Sequence, residues 1–273
     1  LAAVIPGVSC HMHLPYEERP TGLPDAKPPD AAQVRDIAVD APAREAAPGP
    51  DRSPGPDLSP QPDLPPQGQV TTIAGDKGSS SCTGGAPGTK GSASKWKFKG
   101  PRDVVAWNSK LYVADELCHQ VLEVDPGAKQ VKVYAGTGSP GATGGYLAQA
   151  QLNGPTGLAF DGAGKLYIAD RLNNMIRVVS AGKVYAFAGS KTAGKLNGTG
   201  TAAQFDHPLA LAIWANKLHV ADAFNYQIRV VDLKSKAVTT LAGSGSFGTK
   251  DGPAAAAEFG HLGGIAVNSA PAT

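Results

Sequence analysis

Charge excess, long apolar runs, helical periodicity and clustered metal ligands are all scarce in this chain, and each scarcity narrows what it can be. The formal net charge is +2 over 273 residues, evenly spread. That argues against a nucleic-acid partner. No apolar run approaches the roughly 20 residues needed to span a bilayer as a helix. Cys82 and Cys118 have no Cys or His nearby at metal-ligand spacing, which argues against a metal site there. No G-x-S-x-G, H-E-x-x-H or phosphate-binding loop is present. The glycine-rich stretch Gly136–Gly145 joins one β-type run to another, and no helix N-terminus follows it to hold a phosphate. What abounds is glycine (34) and proline (23), a composition suited to many short strands joined by tight turns.

The prolines are unevenly placed. Fourteen of the 23 lie between Leu14 and Gly68, in runs such as "PGPDLSPQPDLPPQ". Proline lacks an amide donor and fixes its own backbone angle, so this stretch predicts an extended, solvated spacer. The preceding "LAAVIPGVSC" resembles the end of a secretory signal peptide and, more narrowly, a bacterial lipoprotein cleavage site with Cys10 as the lipidated residue. Gly7 stands where that pattern prefers leucine, and a disordered start with a chance cysteine is the alternative. The sequence therefore divides into a leader remnant (1–10), a disordered Pro/Asp-rich linker (11–68) and a repeat domain (69–273). The resemblance implies an exported protein at the cell envelope or outer surface, touching a membrane only through lipid on Cys10.

From Gln69 the chain repeats itself. "VTTIAG", "VKVYAG", "VYAFAG" and "VTTLAG" end at Gly75, Gly136, Gly189 and Gly243, spaced 61, 53 and 54 apart. The aspartates closing "LYVAD", "LYIAD" and "LHVAD", Asp115, Asp170 and Asp222, are spaced 55 and 52 apart. Two independent landmarks with one period mark a true internal repeat. Each unit holds four strand signals. Runs such as Leu166–Ala169 are apolar on both faces, so each sheet must be covered on both sides. Four-stranded sheets stacked face to face about an axis meet that demand, which is the β-propeller; a β-sandwich leaves the repetition unexplained.

The phrase "GPTGLAFDGAGKLYIADRLNNMIRVV" resembles the NHL repeat. Leu152, Pro155, Asp170, Asn173, Ile176 and Arg177 occupy its places, and Phe205, Pro208, Asp222, Asn225, Ile228 and Arg229 do so one unit later. The first unit keeps Phe98, Pro101 and Asp115 but has Cys118 for the asparagine and Leu122 for the arginine. The expected fold is an all-β, NHL-type propeller with three complete four-stranded blades and partial blades at each end. Val70–Gly75 would be a fourth strand and Ile265–Val267 a first strand. Propellers of this type usually have more blades, so the count implies a fragment. The aspartates and asparagines are expected to hold turn amides, and Arg177 and Arg229 to pack between blades onto turn carbonyls or carboxylates. On this topology the loop entering a blade and the turn between its second and third strands share one face. Cys82, in the entering loop, can then bridge Cys118, closing 36 residues.

The same topology points to a binding scaffold with no cofactor. Arg102, Arg171, Phe224 and Tyr226 vary between units and project from the loop face, the alternative for the two aromatics being packing against the next blade. The partner class stays open between protein and cell-envelope glycan. The alternative is a metal-dependent lyase or a lactonase-like enzyme in the central channel. Peptidyl-hydroxyglycine lyases share this propeller type and bind zinc through channel histidines. His207 and His261 begin successive inner strands, but Gly100 and Gly154 stand at the matching places, and two ligands fall short of the usual three.

Overall fold

The computed structural model describes residues 71–76, 81–83, 85 and 87–267. Cys10 and the linker lie outside them. The described chain is all-β apart from single turns of 3-10 helix. It forms three antiparallel sheets of five strands each. Blade 1 contains β1 (Lys90–Ser92), β2 (Pro101–Trp107), β3 (Lys110–Asp115), β4 (Gln120–Asp125) and β5 (Gln130–Ala135). Blade 2 contains β6 (Gly145–Tyr146), β7 (Pro155–Phe160), β8 (Leu166–Asp170), β9 (Met175–Ser180) and β10 (Lys183–Ala188). Blade 3 contains β11 (Gly198–Thr199), β12 (Pro208–Trp214), β13 (Lys217–Asp222), β14 (Gln227–Asp232) and β15 (Ala237–Ala242).

Four strands of every blade follow the sequence pattern, with tight turns between them. Asn108–Ser109 and Ala215–Asn216 turn the first hairpins of blades 1 and 3 with positive φ at both residues, matching the twist of the flanking strands. The fifth strand is an addition. β1, β6 and β11 arise in the loop that enters each blade and pair with the fourth strand, at Gly91↔Val131, Gly145↔Val184 and Gly198↔Val238. They cover an edge that would otherwise offer unpaired backbone groups.

The blades stack through matching stations. Tyr112 meets Tyr134 edge-on at 5.0 Å in blade 1, and Tyr167 meets Phe187 at 4.9 Å in blade 2. Val121, Ala135 and Tyr112 pack with Leu158, Ile168 and Val184 of the next blade in one core. Tyr167, Ile176 and Phe187 pack with Leu211, Val220 and Val238 in the second. Each fully buried valine, leucine or isoleucine among them contributes roughly 1.5–3 kcal/mol. Trp96 and Ala93 cover the other face of blade 1, against Leu122, Val124 and Val133. The first core strands β2, β7 and β12 neighbour one another across blade boundaries. There the Asp103 carboxylate accepts the Leu158 N–H at 2.7 Å. Burial raises its pKa while the amides it accepts pull it back. Gly157 lies so close to Leu209 and Ala210 that an added Cβ would fall 2.7 Å from the Leu209 carbonyl oxygen.

Two expected strands are corrected. The described part of Val70–Gly75, residues 71–75, is not a strand, although its twin β15 is. Ile265–Val267 is not one either, although Leu211–Ile213 at the equivalent place is. A β-type run becomes a strand only beside a partner, and among the described residues neither run pairs with one. Residues 243–262 nonetheless repeat the bonding of an entering loop. Gly248 donates to the Phe259 carbonyl as Gly141 does to Leu152 and Gly194 to Phe205.

Candidate interaction face

Between the second and third core strands of each blade the chain makes one 3-10 turn, Glu116–Cys118, Arg171–Asn173 and Ala223–Asn225. Each ends on a left-handed residue, His119, Asn174 or Tyr226. The aspartate before the turn organises it. Asp170 accepts the Asn153 N–H at 2.7 Å, the Asn173 amide at 2.8 Å and Arg177 at 3.0 Å. Asp222 repeats this with the Asp206 N–H, Asn225 and Arg229 at 2.8, 2.8 and 2.9 Å. Burial raises both carboxyls to about 6, against the pull of those donors. The asparagines also donate to the entering loop, at the Gly141 and Gly194 carbonyls, both at 2.8 Å. Arg177 and Arg229 reach carbonyls of the same loops, Thr143 and Leu196. These groups are buried and bonded chiefly to one another and to the loops, so they form the frame of the face rather than its contact surface.

Blade 1 solves the same problem with other chemistry. Leu122 supplies no donor, and Asp115 instead accepts both the Gly100 and Lys99 N–H groups, at 2.8 and 3.0 Å. Cys118 is bonded to Cys82, with Cα atoms 5.8 Å apart. The bridge ties turn to entering loop where the other blades use an asparagine hydrogen bond.

Three apolar side chains stand on this frame at one repeated station. Leu117, Leu172 and Phe224 are the middle residues of the turns and are 48%, 43% and 53% exposed. Leu117 and Leu172 lie over Gly100 and Gly154, where an added Cβ would approach their side chains to 2.8 and 3.0 Å. At the third station His207 replaces glycine and its ring stacks on Phe224 at 4.2 Å. The residues expected on the face fall into three groups. Arg102 and Arg171 converge on Glu116, Arg102 through Nε and Arg171 through a 2.6 Å bond. Phe224 stands over His207. Tyr226 belongs to a separate set, edge-on to Phe247, which in turn meets His261 at 5.6 Å. Glu116, Leu117 and Leu172 escaped the sequence reading. The signal for the leucines was an apolar residue in the middle of three equivalent turns, "ELC", "RLN" and "AFN".

The channel histidines are otherwise engaged. His207 Nδ1 lies 2.6 Å from Asp206, and His261 rests against Phe247. Among the described residues no group of three or more His, Cys, Asp or Glu is placed to hold a metal ion.

Neighbouring blades are pinned through the left-handed residues. Asn174 accepts the His207 N–H at 3.0 Å, and His119 Nδ1 accepts the Gly154 N–H at 3.1 Å. Burial holds His119 below the ordinary histidine range, with Glu116 and Asp115 pulling upward and Lys99 pushing down. The unfolded chain therefore takes up this proton first, and stability falls as pH drops through about 6.5. His119→Asn supplies the acceptor found at Asn174. Thermal melts across this range should show a flatter pH dependence for the variant; an unchanged slope would count against the neutral acceptor role.

No family model matches the chain. It is 35% identical over 116 residues to NHL repeat-containing protein 2 of Bos taurus, covering 37% of this chain and 16% of that protein. It is 37% identical over 76 residues to SUPPRESSOR OF QUENCHING 1, chloroplastic, of Arabidopsis thaliana, covering 28% and 7%. The chain thus spans at most 16% of the length of these two curated relatives. An auxiliary nutrient binding protein from Bacteroides ovatus aligns with a TM-score of 0.42 at 20% identity, over 54% of this chain and 38% of that one. That likeness is too loose to carry an argument. The sequence similarity and the three equivalent blades support an NHL-type propeller.

Proposed function

We propose that this protein is an exported, lipid-anchored binding scaffold whose loop face takes a partner at the three repeated apolar stations. One observation carries the reading: Leu117, Leu172 and Phe224 are each about half exposed, at the same place in successive blades, on turns fixed by buried ion pairs or a disulfide. Apolar side chains held rigidly in water at regular intervals suit recognition, because ordering them costs little on binding. The channel-enzyme alternative draws on His207 and His261, whose rings already pack on Phe224 and Phe247. Lipid on Cys10 would hold the domain at the cell envelope, with residues 11–68 as the tether.

The test pairs Leu172→Asp with Phe224→Asp in the full chain. Neither side chain is needed to fill a core, so melting temperature should hold. Affinity for a partner recovered by proximity cross-linking on intact cells should fall by about tenfold or more, a scale set by the loss of interface anchors. Undiminished binding by a folded double variant would move the site elsewhere.

A further inference from the structure

We infer that Arg102 and Arg171 form a carboxylate clamp at the seam of blades 1 and 2, which takes an acidic peptide segment whose neighbouring apolar side chain lies on Leu117 and Leu172. The inference rests on the binding-face reading and adds the chemistry of the partner.

The two guanidiniums come from different blades, Arg102 from β2 and Arg171 from the second 3-10 turn. Glu116 holds both. Its side chain is only 5% exposed, against 30% for Arg102 and 26% for Arg171. The carboxylate thus acts as a buried anchor beneath two partly open cations. Each guanidinium carries five N–H donors in a rigid fork. Arg102 uses Nε and Arg171 uses one terminal nitrogen, and their remaining donors have no acceptor among the described residues. Two cations over one anion leave the clamp itself positive, with Asp103 at the same boundary half-buried and bonded to the Leu158 N–H. Exposed Lys99 adds to it, lying within electrostatic reach of both Asp115 and His119. Asp115 itself is buried and occupied by the Lys99 and Gly100 amides, so it does not cancel this charge at the surface.

Among the described residues the paired arginines occur only at this seam. At the next boundary the residues equivalent to Arg102 and Arg171 are Thr156 and Ala223, and Thr156 is buried with its hydroxyl directed to the Pro208 carbonyl. From the clamp the face runs over Leu172 to Phe224, and each station carries one apolar side chain, the third stacked on His207 beside Asp206. A complementary ligand is therefore directional: a carboxylate at the first seam and apolar side chains toward the third blade. A forked donor pair suits a planar carboxylate with bidentate bonds.

A fluorescein-labelled peptide of alternating glutamate and leucine, titrated by anisotropy against the full chain, tests this beside its glutamine counterpart. The glutamate peptide should bind about tenfold tighter or more, as charge-assisted pairs warrant, with the advantage shrinking as salt rises. Arg171→Gln should erase most of that advantage while Arg102 still pairs Glu116. Lys99→Ala, an exposed change that uncovers no buried charge, should reduce it by about twofold through the weaker exposed electrostatics. Equal binding of the two peptides overturns the clamp. If that equal binding is lost in Phe224→Asp, the apolar face stands without it. Displacement of the glutamate peptide by inorganic phosphate but not by acetate at equal concentration overturns the carboxylate assignment in favour of a phosphorylated ligand. An advantage untouched by Arg171→Gln and Lys99→Ala also sinks the proposal.

Discussion

Arg229→Met is expected to lower the unfolding free energy by about 3–5 kcal/mol, the range for breaking a buried ion pair from one side. The guanidinium is fully enclosed and holds four acceptors: Asp222, the Gln204 and Leu196 carbonyls and the Asn197 side-chain oxygen. Methionine fills part of the volume and satisfies none of them. Blade 1 carries Leu122 at this station, yet it does not predict a neutral outcome. Its Asp115 has turned to two backbone amides, and its entering loop is tied by Cys82 instead. Blade 3 has neither substitute.

The loss should depend on pH with a definite sign. Asp222 is already raised to about 6 by burial, and Arg229 is among the groups that restrain it. Without the arginine its folded pKa climbs further above the unfolded value. A raised carboxyl contributes stability that is present below its unfolded pKa and lost as pH rises through the folded one. The variant should therefore be worst near neutrality and above, and partly relieved toward pH 4–5. Urea unfolding at several pH values measures both features. A loss below about 1 kcal/mol, the scale of an exposed pair, would show that the site repacks.

Reduction of Cys82–Cys118, or the double change to serine, is expected to remove about 3–4 kcal/mol in the chain-entropy account for a 36-residue separation. The effect should be local. Amide protection should drop in the first entering loop and around Glu116–His119, while the Asp170 and Asp222 turns keep theirs. Cys118→Asn restores the residue type of the other blades but should recover only part of the loss, because Asn173 and Asn225 each work together with an arginine. Denaturation of the oxidised and dithiol-treated protein decides it; coincident midpoints would make the bridge energetically idle.

Much of this was legible because a repeat announces its own framework. Asp170, Asn173 and Arg177 recur as Asp222, Asn225 and Arg229, and polar residues recurring inside an apolar frame must satisfy one another. The fifth strands were hidden, since Gly145–Tyr146 and Gly198–Thr199 are too short to show any alternation. "VTTIAG" and "VTTLAG" differ by one residue yet only the second is a strand, because pairing is a property of neighbours that no local pattern contains. Glu116 was invisible for the opposite reason. It has no counterpart in the other units, so repetition gave no hint that it gathers Arg102 and Arg171.

The clasp that finishes each sheet also dictates an order of assembly. Lys90–Ser92 leaves the ribosome before the rest of its blade, but its partner, Gln130–Ala135, is made last. The first blade cannot shut until that later segment has emerged, and the same delay separates Gly145–Tyr146 from Lys183–Ala188. Each sheet is therefore completed by the final stretch of its own sequence, while its apolar face waits for the blade that follows.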